Sequence, residues 1–478
     1  MVNVVRCRGA WLAAMLAVSG CAVGPRYQRP SAPAPDAFKE APPDGWKRAE
    51  PADAISRGAW WQVYSLPELD ALEQQVSISN QNVVAAIAQY REARDQIRIA
   101  RSALFPTVNT APSATITRAN SSARTGSGAL VTAQGSGFVI DYSLPVDFAY
   151  QADVWGSVGR SVTAASATAQ ASEADLENVL LMNQAQLAQL YFQLHGLDGD
   201  ADLLQTTLQL YEQSLQLTKD RMQAGVASGA DVAQAQAQYD STRAQWIDVG
   251  VGRAQFEHAI AVLTGKPPSA LTIPPAPVTV LPPPVPIGLP SALLERRPDI
   301  SAAERRVAAA NEQIGIAKSA FYPALSLNAT GGFASTAIET LFTWPSRFWA
   351  VAPQLALTLF DAGKRHAQVD LQEAAYDATV ASYRQTVLTT FQQVEDQLAA
   401  LRILEQEAAA EDQAVSAAQD ALDIANEQYR AGTVDYLQVI TTQTTALQAR
   451  RASLDILTRR LVASVLLIEA LGGGWSAP

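Results

Sequence analysis

The sequence has few of the residues on which covalent cross-links, metal sites and catalytic sites are built. Its 478 residues include only two cysteines, Cys7 and Cys21, and three histidines. Two cysteines exclude a disulfide framework and any zinc site made of several cysteines. His195, His258 and His366 lack the spacing of metal ligands, so neither a metal nor a cofactor is expected. Because no catalytic constellation or phosphate loop is recognisable either, the sequence predicts a protein that is not an enzyme.

Positive charge and long apolar runs are also scarce. The chain has 35 lysines and arginines against 46 acidic residues, a formal net charge of −11. Nucleic-acid binding calls for a clustered basic surface, so a nucleic-acid partner is excluded. No run of 18 or more apolar residues occurs after the first 25 positions, and no membrane-spanning helix is expected in the mature chain.

Proline is absent from 146–266 and from 354–477, although the chain contains 26 prolines. A proline inside a helix costs about 3 kcal/mol, so two such tracts predict long helices. Apolar residues recur at heptad spacing in the first tract, and shifting by 207 positions finds the same phase in the second. The first seam consists of Leu204, Leu208, Tyr211, Leu215, Thr218 and Met222, and the second of Val415, Ala418, Leu422, Ala425 and Tyr429.

One glycine interrupts each helical tract, Gly225 in the first and Gly432 in the second. Glycine just past a helix end can adopt the left-handed conformation that closes the last turn. The letters "SGAD" at 228–231 then resemble a capping box that opens the next helix. Each interruption is interpreted as a tight helix–turn–helix tip, although a kinked continuous helix is the alternative.

The chain is written as two copies of one unit. The stretch "QIRIARSALFP" at 96–106 is repeated as "QIGIAKSAFYP" at 313–323, and "QAGVASGADV" at 223–232 corresponds to "RAGTVDYLQV" at 430–439. Self-similarity of this kind indicates a structural unit built twice. The repeated unit has about 200 residues.

Four stretches follow a period of two, which is typical of membrane-spanning strands. Alternation is clear at 143–155, 324–330 and 349–359 and weaker at 106–117. Each copy is therefore read as helix, two strands, long helix, tip and helix. Four strands cannot close a barrel, and lipid does not tolerate an open sheet edge, so the chain must oligomerise. Two chains would give eight strands and a filled interior, while three would give twelve and a passage.

The N-terminus has the form of an export signal. Arg6 and Arg8 precede the short apolar stretch at 10–18, and "VSGC" at 18–21 resembles the lipobox of bacterial lipoproteins. This resemblance implies cleavage after residue 20 and lipidation of Cys21, and Ala22 favours delivery to the outer membrane. An ordinary export signal with an incidental cysteine is the alternative.

Longer motifs identify a family. "CAVGPRYQRP" at 21–30, "LLERRPDI" at 293–300 with "AAANEQIGIAKSAFYP" at 308–323, and "ALGGGW" at 470–475 resemble the TolC/OprM outer-membrane factors, in particular their NodT-type efflux lipoproteins. The resemblance implies a mainly helical fold with membrane strands. It implies a homotrimer with a twelve-stranded β-barrel, a periplasmic α-barrel of twelve helices and an equatorial domain. The implied partners are a periplasmic adaptor (membrane fusion protein), an inner-membrane pump of the resistance-nodulation-division class and outer-membrane lipid.

The resemblance also assigns roles to residues near the tips. The adaptor-docking tips would be Gly225, Val226, Ala227, Ser228, Gly432, Thr433 and Val434. A gate latch would join Asp231 to Tyr429, with a simple helix cap at Asp231 as the alternative. Relatives carry acids at the pore constriction, whereas this chain has Gln438 and Thr441, so weak block by multivalent cations is expected.

These inferences predict an outer-membrane exit duct for small molecules, with a large periplasmic portion. A duct for polypeptides in type I secretion and a coiled-coil scaffold lipoprotein without a pore are the alternatives. The exported compounds cannot be named, because the pump sets most of the specificity. The predicted organisation begins with a signal peptide at 1–20 and a lipidated extension at 21–65. The first repeat follows at 66–265, with strands near 106–118 and 138–155 and its tip at 225–229. A Pro-rich equatorial connector at 266–292 leads to the second repeat at 293–474, with strands near 323–333 and 347–360 and its tip at 432–435.

Overall fold

The computed structural model describes residues 23–32, 35, 37–40, 59–118, 138–284 and 296–473. Its α-helices are α1 (Pro67–Ser79), α2 (Gln81–Ser102), α3 (Ser157–Gln223), α4 (Gly229–Leu263), α5 (Pro298–Ser319), α6 (Lys364–Arg430) and α7 (Tyr436–Ala470). Its strands are β1 (Thr107–Thr110), β2 (Ser113–Arg118), β3 (Phe138–Ala152), β4 (Ala324–Ser335) and β5 (Arg347–Ala356). Short 3-10 turns lie at Trp60–Tyr64, Pro268–Ala270, Ile338–Thr340 and Trp344–Ser346.

The duplication is confirmed in the elements themselves. Helices α3 and α6 both have 67 residues, and helices α4 and α7 both have 35. Adding 207 to either bound of α3 or α4 gives the corresponding bound of α6 or α7. At 1.5 Å per residue, each long helix extends about 100 Å, as the proline-free tracts predicted.

The compact units of the chain do not coincide with its repeats. One unit consists of Met1–Pro30, Arg91–Gln170 and Arg305–Val380, and the other of Ser31–Tyr90, Ala171–Glu304 and Ala381–Pro478. Each unit draws on both copies because the long helices α3 and α6 contribute residues to both. The first, the strand unit, contains all five strands, and the second, the helical unit, contains both tips.

The strand unit holds one antiparallel sheet. Strands β1 and β2 both pair with β3, which pairs with β4, which pairs with β5. The stretch 106–118 was expected as one strand but is split at Ala111 and Pro112, because proline cannot donate to the ladder. Large apolar side chains face outward, such as Val108 at 65% exposure and Trp349 at 81%. Among the strands that the structure describes, two sheet edges have no partner, one along β1 and β2 and the other along β5.

The core of the helical unit is apolar and aromatic. Tyr64 packs its ring 4.9 Å from that of Phe192 and exchanges a 2.7 Å hydrogen bond with the Ser464 hydroxyl. The heptad residues Leu204, Tyr211, Leu215 and Thr218 are buried as predicted, whereas Met222, next to the tip, is 40% exposed. Among the described helices, none combines the length and apolar character that a membrane span requires.

Candidate functional site

Both long helices end in a left-handed glycine. Gly225 has a φ of 76° and Gly432 a φ of 77°. Without a Cβ, glycine adopts this conformation at no steric cost and turns the chain out of the helix. The Val226 amide then donates to the Arg221 carbonyl at 2.8 Å, and an equivalent bond of 3.0 Å from Thr433 closes the second turn. The sequence therefore ends two helices in tight turns rather than kinking them.

A side-chain cap opens the next helix after each turn. At the first tip, the Ser228 hydroxyl accepts from the Asp231 amide at 3.2 Å, and the Asp231 carboxylate accepts from the Ser228 amide at 2.8 Å. This reciprocal pair is the predicted capping box. At the second tip, Asp435 accepts from the Gln438 amide at 3.2 Å, a cap that was not predicted. An aspartate directly before the first apolar residues of a helix, here Tyr436 and Leu437, would have been its sequence signal.

A small buried cluster, called here the tip core, stands just behind the turns. It consists of Leu215, Ala235, Tyr429, Tyr436 and Val439. The rings of Tyr429 and Tyr436, which flank the second tip, lie 5.3 Å apart. The tip core thus ties α3, α4, α6 and α7 together at one end.

Arg221 holds Tyr429 in this cluster. Its guanidinium lies 4.4 Å from the centre of the Tyr429 ring, and its Nη1 donates to the Tyr429 carbonyl at 2.7 Å. A cation over an aromatic face is attracted by the ring quadrupole. Sequence reasoning missed Arg221, and no signal marked it, since the residue at the matching repeat position is Gln428.

The structure does not bring Asp231 and Tyr429 together within one chain. The Asp231 carboxylate accepts from the Ser228 hydroxyl at 2.9 Å in addition to the capping bond. The Tyr429 hydroxyl lies 3.5 Å from that of Thr218. Within the described chain, Asp231 therefore serves as a cap, and the latch stays a prediction for the assembled channel.

Gln438 and Thr441 lie on the exposed face of α7, one turn apart. The Thr441 hydroxyl donates to the Leu437 carbonyl at 2.9 Å, so it is satisfied by its own helix. Neither side chain carries charge. That this face lines the pore stays a prediction.

Burial raises the pKa of two tyrosines near the tips, Tyr436 and Tyr211. It is the largest cause that raises the pKa of Tyr436 to about 12, and the neighbouring Tyr429 and Tyr211 raise it further. Burial likewise raises the pKa of Tyr211. The phenol groups remain neutral donors across the physiological pH range.

A second cluster fastens the connector that follows α4. Asp198 of α3 accepts from Arg253 Nε at 2.6 Å and from the Ala276 amide at 3.1 Å. Arg253 Nη2 donates to the Ile273 carbonyl at 2.6 Å, while Glu257 accepts from the Ile273 amide at 2.9 Å. Side chains thus hold the backbone of the connector at two residues, over a stretch that has no regular secondary structure.

His195 is a buried residue of α3 that belongs to the same cluster. The side chain is 3% exposed, and its Nδ1 lies 3.0 Å from Asp198 and 2.8 Å from the Ala276 carbonyl. Because both neighbours are acceptors, Nδ1 carries the proton. His258 is exposed, and the His366 ring packs 4.9 Å from that of Phe321. Among the residues that the structure describes, no group of three or more potential ligands is placed to hold a metal ion.

Two predicted features lie outside the described residues. These are Cys21 with the signal peptide before it, and the loop at 119–137 that joins the first two predicted strands. Val23 is held within the strand unit, since its amide donates to the Trp155 carbonyl at 3.2 Å. Farther along, the Glu395 carboxylate of α6 accepts from the amides of Lys39 and Glu40 at 2.6 and 2.8 Å.

Comparison with known proteins identifies relatives over nearly the whole chain. The antibiotic efflux pump outer membrane protein ArpC of Pseudomonas putida is 33% identical over 463 residues, covering 96% of this chain and 93% of the relative. The outer membrane protein OprJ of Pseudomonas aeruginosa is 31% identical, covering 96% and 94% respectively. The solved structure of the outer-membrane channel OprN superimposes with a TM-score of 0.86 at 29% identity, covering 95% of this chain and all of that one.

The family model for outer membrane efflux proteins matches residues 72–266 and 289–473. The two matched segments follow the two repeats and omit the middle of the connector between them. Membership indicates a role in transport rather than catalysis, and it places the protein in the outer membrane. The resemblance drawn from the sequence motifs is confirmed: the chain belongs to the outer membrane efflux protein family.

Proposed function

We propose that the chain assembles as a homotrimer and forms the exit duct of a tripartite efflux system. It would conduct solutes passively from a periplasmic adaptor and an inner-membrane pump of the resistance-nodulation-division class to the exterior. The observation that carries this proposal is that one chain combines an open apolar sheet with two helical hairpins. In each hairpin one helix is about 100 Å long and the other about 50 Å long.

The open sheet supports the trimer. Among the described residues, neither edge of the sheet has a partner strand, and unpaired backbone groups are costly in lipid. The edges of one chain would therefore pair with those of other chains. Counting the split β1–β2 stretch as one strand, each chain supplies four. Three chains would supply twelve, enough for a barrel with a passage.

Small molecules are the proposed solutes. Relatives at 33% identity are named for the efflux of antibiotics and of toluene. These names favour a drug or solvent duct over a type I secretion duct for polypeptides. Because a solved channel structure matches nearly the whole chain, a scaffold without a pore is disfavoured.

The tips are proposed as the docking surface for the adaptor. Gly225 has open space around it, since an added Cβ would meet no atom within 4 Å, and Val226 beside it is 66% exposed. Small, exposed turns allow another backbone to approach closely. Six such turns would surround the mouth of a trimer.

Replacing Gly225 with Trp tests this role. We expect Gly225→Trp to abolish efflux and adaptor cross-linking while trimer formation and membrane insertion persist. Gly363→Trp is the matched control, because Gly363 has a comparable φ of 88° and equally open surroundings but lies in the strand unit. Full cross-linking by Gly225→Trp, or equal loss in both variants, would refute docking at the tip.

Four further assignments complete the proposal. Cys21 would carry the lipid. Cys21→Ala should therefore lose fatty-acid labelling. The uncharged pair Gln438 and Thr441 would give a constriction that multivalent cations block weakly, measured as single-channel conductance. Residues 266–292 would form the equatorial connector. Asp231 and Tyr429 would form the latch, so a variant with both Asp231→Ala and Tyr429→Phe should have a higher single-channel conductance.

A further inference from the structure

A cavity of about 170 Å³ lies in the helical unit beside the second tip. Residues of α3, α6 and α7 line it, all of them in the same compact unit. Its main polar and aromatic lining residues are Tyr211, Ser214, Asn426, Tyr429, Tyr436 and Arg450. Its lining includes no residue of the turns at 224–228 and 431–434, and neither Gln438 nor Thr441.

The size and walls of the cavity suit one aromatic ring. Three tyrosines, Tyr211, Tyr429 and Tyr436, contribute to its wall. Aromatic rings pack well at centroid separations of about 4.5–7 Å, and a dry cavity of about 150 Å³ is enough to hold benzene.

The charge of the lining selects an anion. None of the sixteen lining residues is acidic, while Arg430 and Arg450 are both cationic. Arg450 donates to the neutral amide oxygen of Gln419 and is not neutralised by a carboxylate among its described contacts. Such a lining is unusual in a chain whose net charge is −11. A cationic ligand is further disfavoured because the Arg221 guanidinium already covers the Tyr429 ring.

Hydrogen-bond capacity in the cavity is unused. Gln443 lines it and is 6% exposed, and its Nε2 lies 3.4 Å from the Ser214 hydroxyl. Its Oε1 has no hydrogen-bond partner. The two amide atoms exchange places by a half-turn of the side chain, so this residue can present either a donor or an acceptor. Because Oε1 is itself shielded from solvent, a ligand would reach the Gln443 amide only after that side chain turns.

We propose that this cavity binds a single-ring aromatic carboxylate of the benzoate class. The ring packs among the three tyrosines, and the carboxylate accepts charge-assisted hydrogen bonds from Arg450, supported by Gln443. Tyr429 and Tyr436 lie on either side of the second tip, so the ligand braces the two helices that form it. Binding at this position would couple a small metabolite-sized anion to the conformation of the tip.

Benzoate itself is the probe, titrated calorimetrically into the full-length protein purified in detergent. Benzamide is the neutral comparison ligand, since it has the same shape without the charge. We expect benzoate to bind more tightly than benzamide to the wild-type chain. Arg450→Gln should weaken benzoate about tenfold or more, the loss expected of a charge-assisted bond, and leave benzamide unchanged.

The duplicated sequence provides the matched control. Arg243 occupies the position that corresponds to Arg450 in the first repeat and does not line the cavity. Arg243→Gln should bind benzoate like the wild type, and Ala446→Phe, which fills the cavity, should bind neither ligand. Oligomeric state by size exclusion verifies that each variant is folded. Failure of the wild type to bind benzoate, or equal weakening by Arg243→Gln, overturns the proposal. Neither result would bear on the efflux assay, so the proposed function stands or falls separately.

Discussion

Removing the charge of Asp198 should release the connector from the helical unit. The side chain is 2% exposed and accepts from Arg253 at 2.6 Å, His195 at 3.0 Å and the Ala276 amide at 3.1 Å. Burial by itself would raise the pKa of Asp198, but these hydrogen bonds outweigh it and lower the pKa. The carboxylate is therefore charged at neutral pH, and its contribution is lost only as the pH falls through the lowered pKa.

The size of the effect follows from the bonds that Asp198→Asn loses. The amide keeps the shape but places an NH2 donor against a set of donors. Losing a hydrogen bond to a charged partner costs about 1.5–3 kcal/mol, and breaking a buried ion pair by removing one partner costs about 3–5 kcal/mol. Local opening of the connector costs the lower of these two ranges. Because about 1.4 kcal/mol corresponds to a factor of ten, the Ala276 amide should exchange about 10- to 150-fold faster in Asp198→Asn than in the wild type.

Hydrogen exchange measured by mass spectrometry on peptides covering 271–277 is the assay. Asp200→Asn is the matched control, because Asp200 lies two residues farther along α3. Its carboxylate takes two hydrogen bonds of 2.7 and 2.8 Å from Arg451 and none from the connector. That variant should destabilise the helices without speeding exchange in the connector. Unchanged exchange in Asp198→Asn, or equal release by Asp200→Asn, would show that this reasoning is wrong.

Three other substitutions test separate parts of the fold. Burial raises the pKa of Glu469 to about 7 from an ordinary 4.5, so stability is fully present below about 4.5 and is lost as the pH rises from there to about 7. Glu469→Gln should therefore unfold at the same temperature as the wild type at about pH 4 but at a higher one at about pH 8. Glu395→Gln should speed amide exchange in the N-terminal segment that its carboxylate holds, and an unchanged rate would argue against this anchor. Gly332→Ala should prevent pairing of β3 with β4 and hence heat-modifiable assembly, because its Cβ would collide with the Leu144 carbonyl oxygen. Gly331→Ala, whose nearest atom would be 3.7 Å away, should assemble normally.

Local features of the chain were read correctly from the sequence. These features determine the backbone conformation only within a few residues of their own position. They are the proline-free tracts, the glycines at 225 and 432 and the capping box at 228–231. Helix periodicity, helix termination and capping depend on such short-range interactions, so they leave a signal in sequence order. Because the unit is repeated, the helix boundaries are indicated by two stretches of sequence rather than one. The fold class could therefore be predicted from a single chain.

One strand was predicted wrongly for an equally local reason. Pro112 lay inside a predicted strand, and its missing donor split that strand in two. Within one chain, a serine three residues away caps Asp231, so the bond from Asp231 to Tyr429 stays a prediction for the assembled channel. A local partner within one turn competes effectively with a distant one, because it needs no long loop to be closed.

The sequence by itself determined the order of the elements, the two-fold repetition, the tips and the family. Only the tertiary structure decided that Arg221 covers Tyr429, that Asp198 and His195 hold the connector at Ala276, and that three tyrosines enclose a cavity. Arg221 and Tyr429 are 208 positions apart, and Asp198 and Ala276 are 78 apart. No periodicity or motif connects such residues, because what joins them is the packing of long helices side by side.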